Sequence, residues 1–124
     1  MALADVLAHV IGVQVEDDGA LTVRHDGTVA SLREVTIAEG LELISLNQLL
    51  AWDLPLDAGL RERVAAQVNS THFGTIALTE RPGGLADVIL RYNFPAGGLD
   101  PSALQTLVLM VLAGGSAAAA AITG

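Results

Sequence analysis

The chain has 124 residues and no cysteine, and apolar residue types make up 52% of it. Fourteen acidic residues oppose six basic ones, all of them arginine, which gives a formal net charge of −8. A chain of this length is expected to form one domain over residues 1–124, with a core that needs no disulfide. The composition excludes thiol chemistry, and the scarcity of basic residues argues against nucleic acid as a partner.

The N-terminal segment, residues 1–12, has the apolar spacing of a helix that ends near Gly12. The residues of its apolar stripe are Leu3, Val6, Leu7, Val10 and Ile11. The segment contains no basic residue, whereas a secretory signal begins with one. We therefore expect a cytoplasmic protein.

Residues 13–37 predict an antiparallel meander. Apolar and polar residues alternate in short runs, and the turn signals Asp17-Asp18-Gly19 and Asp26-Gly27 separate these runs. Residues 41–54 carry apolar spacings that fit either a helix or a strand. A strand is the better interpretation, because the preceding segments form a meander and Pro55 closes the run.

The second half of the chain predicts a helix, a hairpin and a final helix. Asp57 is a candidate N-cap for a helix with Leu60, Val64 and Val68 on one side. A strand over 73–79, a loop over 80–84 and a strand over 86–94 follow. The last strand alternates most clearly, with Val88, Leu90, Tyr92 and Phe94 on one face and Asp87, Ile89, Arg91 and Asn93 on the other.

The final helix is expected to begin at Pro101 with Asp100 as its N-cap. Residues 101–124 carry no charge and are numerous enough to cross a bilayer. Their large apolar residues follow one stripe, Leu104, Leu107, Val108, Val111 and Leu112, which favours a buried helix and no membrane partner. Gly114-Gly115 is expected to kink or fray this helix.

Because strands and helices do not alternate one for one, the predicted fold class is α+β. The sheet is antiparallel, a meander plus a hairpin, with three helices packed mainly on one face. A search for catalytic or metal-binding patterns finds none. His9, His25 and His72 lack metal-ligand spacing, and no glycine-rich stretch matches a phosphate loop. We therefore expect no cofactor, no metal site and no enzymatic activity.

Four apolar residues are candidates for binding a partner: Leu43, Leu50, Trp52 and Ile89. Ile89 lies on the otherwise polar face of its strand, and it would form a patch if Leu43, Leu49 or Leu50 shared that face. Trp52 is either a core residue or a binding anchor, and the general burial of large aromatic residues favours the core.

The second half of the chain resembles the YbjN-like family, which shares the type III secretion chaperone-like fold. The resemblance rests on Phe73-Gly74, the run from Asp87 to Pro95, Gly98-Leu99 and the apolar helix that starts at Leu104. It implies a twisted antiparallel sheet with helices on one side, in small proteins that are often acidic and commonly dimeric. The secretion chaperones bind extended segments of other proteins without ATP, and the family offers no catalytic residues.

These observations favour a chaperone-like or regulatory module that binds a protein or peptide and acts as a homodimer. The alternative is a small-ligand sensor with an apolar pocket between the sheet and the helices. An enzyme using His25 or His72 is the third hypothesis.

Overall fold

The computed structural model describes residues 3–124. Its elements, in chain order, are α1 (Leu3–Leu7), β1 (Gln14–Val15), β2 (Leu21–His25), β3 (Thr28–Ala38), β4 (Leu41–Pro55), α2 (Ala58–Ser70), β5 (Thr75–Arg81), β6 (Leu85–Pro95) and α3 (Pro101–Thr123). The strands form one antiparallel sheet in the order β1-β2-β3-β4-β6-β5. The predicted α+β class with an antiparallel sheet is confirmed.

Both predicted helix caps are present. The Asp57 carboxylate accepts a hydrogen bond from the Leu60 amide at 2.7 Å, and the Asp100 carboxylate accepts one from the Ala103 amide at 2.7 Å. Each side chain satisfies an N–H group that the first helical turn leaves without a partner. These caps fix where α2 leaves β4 and where α3 begins after β6.

Two expectations about helix length are wrong. Helix α1 ends at Leu7, and a turn follows in which the amides of Val10 and Ile11 both donate to the Leu7 carbonyl. Helix α3, by contrast, continues through Gly114-Gly115 to Thr123 without a break. Gly115 is buried against the Gln48 side chain, so tertiary packing holds this part of the helix despite its weak intrinsic propensity.

Residues 41–54, whose apolar spacing fits either a helix or a strand, form a strand. Ile44, Leu46, Gln48 and Leu50 of β4 are buried, whereas the residues between them are partly exposed. This period of two is the pattern of a strand with one face against the core. Strand β4 pairs with β3 on one side and β6 on the other, so it is central to the sheet.

Helix α3 packs against β2, β3 and β4, and it also contacts α1 and α2. Its buried stripe contains Leu104, Val108, Val111 and Leu112, as expected, and continues through Ala118, Ala119 and Ile122. The helix is long and apolar enough to cross a membrane, with a mean hydropathy of 1.9, and 44% of that window is buried in the fold. One such helix is weak evidence for a membrane span, since core helices have the same properties.

Candidate functional site

The register of the sheet places four apolar residues in one row across four strands. Val29 of β3 pairs with Leu49 of β4, Leu49 pairs with Ile89 of β6, and Ile89 pairs with Ala77 of β5. We call Val29, Leu49, Ile89 and Ala77 the open-face row. All four are partly exposed, and they lie on the face opposite to the Gln48 side chain, which contacts α3.

Two rows of polar side chains lie on one side of the open-face row, on the same face of the sheet. The neighbouring row consists of paired polar residues, Ser31, Asn47, Arg91 and Thr75. A second polar row, Arg33, Ser45 and Asn93, lies beyond it. The open-face row is therefore a narrow apolar strip on a polar surface, whereas a face packed into a core would be apolar throughout.

Leu43 lies on the same face as Leu49 but belongs to a separate apolar row. It pairs with Val35 and Pro95, and the two polar rows separate it from Ile89. Six residues of strand extend for about 20 Å, so Leu43 and Ile89 do not form one continuous patch. A patch around Ile89 required that Leu43, Leu49 or Leu50 share its face, and Leu49 pairs with it directly. Leu43 lies on the same face but is partly exposed in a separate row.

Leu50 does not contribute to the open-face row, because it is only 3% exposed and belongs to the core. The cause is an irregularity in the β4–β6 ladder. Leu49 pairs with Ile89 but Ala51 pairs with Val88, so β4 contains one extra residue at this point. Both Leu50 and Ala51 are consequently buried, and the simple alternation that the sequence suggests breaks down.

Trp52 is 48% exposed, so the expectation of a core residue is wrong. It follows the extra residue at Leu50 and Ala51, in the part of β4 that extends beyond its pairing with β3. It lines a shallow cavity of about 240 Å³ together with Gly27, Leu50, Ala51, Leu54 and Thr123. This cavity lies between the β2–β3 turn and the end of α3, and it is separate from the open-face row.

An ion-pair network spans a second irregularity of the β4–β6 ladder, between Ala51 and Leu54. Arg81 of β5 forms salt bridges with Asp53 and with Asp87, whose carboxylate also accepts a hydrogen bond from the Asp53 amide at 3.0 Å. Asp87, together with Asp53, raises the pKa of Arg81 through hydrogen bonds and charge. Asp53 has a φ of 54°, a left-handed conformation that few non-glycine residues adopt. The network therefore holds the backbone turn that leaves Trp52 exposed.

A buried polar cluster, Gln48, Thr28, Ser116 and His25, lies under α3, and the sequence analysis did not identify it. The Gln48 amide nitrogen donates to the Thr28 hydroxyl at 2.8 Å and to the Leu112 carbonyl at 3.1 Å. The Ser116 hydroxyl lies 2.6 Å from the Nδ1 atom of His25. The only sequence signal was one glutamine in an apolar strand, since the contacts join residues 20 to 91 positions apart.

The contact between His25 and Ser116 lies largely inside the fold. Ser116 is only 7% exposed, and its hydroxyl also donates to the His25 carbonyl at 3.1 Å, so this arrangement serves packing. Catalysis would require the nucleophile to reach a substrate. Among residues 3–124, the structure has no group of three or more acidic or histidine side chains placed to hold a metal ion.

No family model matches the chain, and neither does any curated protein. The solved structures that are similar to it include the crystal structure of YbjN from E. coli, which is described as a candidate transcription regulator. The two align with a TM-score of 0.65 at 14% sequence identity, over 94% of this chain and 85% of that chain. The chain therefore has a YbjN-like fold, as the run from Phe73 to Leu104 suggested. At this identity the likeness shows the fold alone.

Proposed function

We propose that this chain is a non-enzymatic protein-binding module that acts as a chaperone-like or regulatory factor. The observation that carries the proposal is the open-face row, Val29, Leu49, Ile89 and Ala77, whose side chains are partly exposed on a polar sheet surface. Exposed apolar side chains rimmed by polar residues are typical of protein interaction sites.

An extended segment of another polypeptide is the proposed occupant of this surface. We infer that all three helices lie on the face of Gln48, which leaves the face of Leu49 open along four strands. A partner segment lying across the strands would place its apolar side chains on the open-face row. The polar rows on one side of it would supply hydrogen bonds and define the orientation of the segment.

A role in regulation would operate through proteins. The similar structure from E. coli is described as a candidate transcription regulator, and this chain shares its fold. The net charge of −8 disfavours contact with the phosphates of nucleic acid. We therefore propose that any regulatory effect follows from binding a protein, in the cytoplasm and as a homodimer. The relation to the type III secretion chaperones, which bind extended segments without ATP, is part of the same proposal.

The test is a binding experiment with a permanently unfolded protein as the probe. Fluorescently labelled, reduced and carboxymethylated α-lactalbumin is titrated with the full chain, and fluorescence anisotropy reports binding. Ile89→Glu should weaken binding by roughly tenfold or more, because the charge replaces the apolar contact of one isoleucine. Ala66→Glu is the matched control, since it adds the same charge on an exposed position of α2.

Two results would overturn the proposal. One is the absence of binding by the unmodified chain, and the other is equal affinity for Ile89→Glu and Ala66→Glu. Circular dichroism of both variants establishes that each is folded. Size-exclusion chromatography with light scattering tests the homodimer separately, and a monomer at all concentrations would contradict that part of the proposal.

A further inference from the structure

A cleft of about 410 Å³ lies between the C-terminal end of α2 and the outer side of α3. We call it the helix cleft. Met110, Gly114 and Ala117 of α3 form one wall, and Gln67 and His72 lie on the α2 side. Its volume is within the range of small-molecule sites, which are mainly apolar with a few polar groups. It lies on a different part of the molecule from the open-face row.

The two adjacent glycines of α3 have different surroundings. Gly115 is required by the fold, because an alanine Cβ at this position would overlap the buried Gln48 amide. A Cβ at Gly114, in contrast, would meet no atom within 4 Å. Glycine destabilises a helix interior relative to alanine, so packing within this chain gives no reason for Gly114. Gly114 lines the helix cleft, where its missing side chain leaves the cleft open.

The lining of the helix cleft indicates the charge of a suitable ligand. It contains no Asp, Glu, Lys or Arg, and α3 has no charged residue along its length. The cleft therefore offers no permanently charged side chain to pair with a charged ligand. His72, at its α2 end, is the one lining side chain that can ionise. Neutral hydrogen-bonding groups are present, since Gln67, Ser70 and His72 lie at the α2 side.

The shape of the lining indicates the body of that ligand. Met110 is 49% exposed, although it is a large apolar side chain, and it stands beside the smooth surface of Ala113, Gly114 and Ala117. A flexible methionine next to small residues accommodates a narrow aliphatic chain. We propose that the helix cleft binds a small uncharged amphiphile, with its aliphatic chain along α3 and a hydroxyl end beside Gln67 or His72.

The experiment uses 1-octanol as the probe and the full chain labelled with ¹³C in its methionine methyl groups. The chain has two methionines, Met1 and Met110, so the Met110 signal reports on the cleft directly. Octanol should shift this signal in a saturable manner. Gly114→Leu should weaken octanol binding at least tenfold, because the new side chain occupies the cleft. Ala121→Leu adds the same side chain at an exposed position of the same helix and should retain binding.

Several outcomes would overturn this proposal. They are the absence of a saturable shift, unchanged affinity in Gly114→Leu, and a Met110 shift that depends on protein concentration without octanol, which would indicate a second copy in the cleft. If Gly114→Leu fails to fold, Gly114→Ala replaces it, and a few-fold loss of affinity is then expected. Ile89→Glu should bind octanol normally, so this proposal and the one for the open-face row can fail independently.

Discussion

Each face of the central strand β4 contains a residue that differs in polarity from the rest of that face. The inner face, which packs against α3, is apolar except for the fully buried Gln48. The outer face is polar except for its apolar rows, one of which contains Leu49. These two residues are adjacent in sequence. On the inner face the exception is held by hydrogen bonds within the chain, whereas on the outer face the side chain remains partly exposed. The contrast separates a polar residue held inside the fold from an apolar residue that remains accessible at the surface.

The buried amide of Gln48 is only partly hydrogen-bonded. Among the described residues, the Gln48 Oε1 atom is the one buried side-chain nitrogen or oxygen that lacks a hydrogen-bond partner, and it lies next to Gly115. A buried acceptor without a partner destabilises the folded state. An apolar residue would avoid this effect, so the amide is better understood as a device that fixes the position of α3 on the sheet.

The strongest way to separate the two faces is to truncate neighbouring residues of β6. Leu90→Ala should reduce the free energy of unfolding by about 4 kcal/mol, because Leu90 is 1% exposed and its removal leaves a cavity. Ile89→Ala, one position away on the open face, should cost about 1 kcal/mol. Urea unfolding measures both. Equal losses would contradict the assignment of the open face.

The contact between Gln48 and α3 can be broken from the helix side. Gly115→Ala should destabilise the chain by about 3 kcal/mol, since its Cβ would overlap the Gln48 amide. Gly114→Ala is the control and should stabilise the helix by about 1 kcal/mol. The double variant Gly115→Ala, Gln48→Ala should lose less than the sum of its single variants. Thermal unfolding checks all four proteins, and a neutral Gly115→Ala would refute the contact.

The positioning role of Gln48 can be distinguished from a stabilising one. Gln48→Met keeps most of the side-chain volume and removes the unpaired oxygen, so it should change the free energy of unfolding by less than about 1 kcal/mol. The hydrogen bond to the Leu112 carbonyl is lost in this variant. Amide hydrogen exchange in the second half of α3 should therefore become faster. Unchanged exchange there would contradict the positioning role.

Removing a surface ion pair should have the smallest effect on the free energy of unfolding. The Arg33 guanidinium donates to the Asp18 carboxylate at 2.6 Å, and this hydrogen bond, with one from the Ala20 amide, lowers the pKa of Asp18. A lowered pKa means that the pair stabilises the fold above the ordinary range of Asp, about 3.9, and that this contribution is lost as the pH falls through the lowered value. Comparing Arg33→Ala with the unmodified chain by urea unfolding at several pH values should show the small difference disappear in acid.

Much of the fold could be predicted from local sequence patterns. The alternation in β6 and the N-caps Asp57 and Asp100 depend on residues within a few positions of one another, and all three were predicted correctly. The strand over residues 41–54 could be chosen over a helix only from its neighbours. Local sequence patterns were sufficient to predict an element wherever its buried residues follow the regular period of a helix or a strand.

The candidate site was less predictable because it depends on long-range pairing. Ile89 was identified from its own strand, but its partner Leu49 is defined by the β4–β6 register. The extra residue at Leu50 and Ala51 shifts the side-chain pattern by one, and no local signal marks it. For the same reason Leu50 is buried and Trp52 is exposed. The contact of Gln48 with Gly115 joins two elements that the sequence places far apart.

The position of β6 in the sheet has a consequence for the kinetics of folding. Strands β2, β3 and β4 pair with their neighbours in sequence, and so do β5 and β6, so both units can close through short turns. The pairing of β4 with β6 must close a loop that includes α2 and β5. Loop closure over a longer segment is slower, so joining the β2-β3-β4 meander to the β5-β6 hairpin is expected to limit the folding rate. Variants at the β4–β6 junction, such as Leu46→Ala, should slow refolding more than variants in β2, and stopped-flow measurements can distinguish the two.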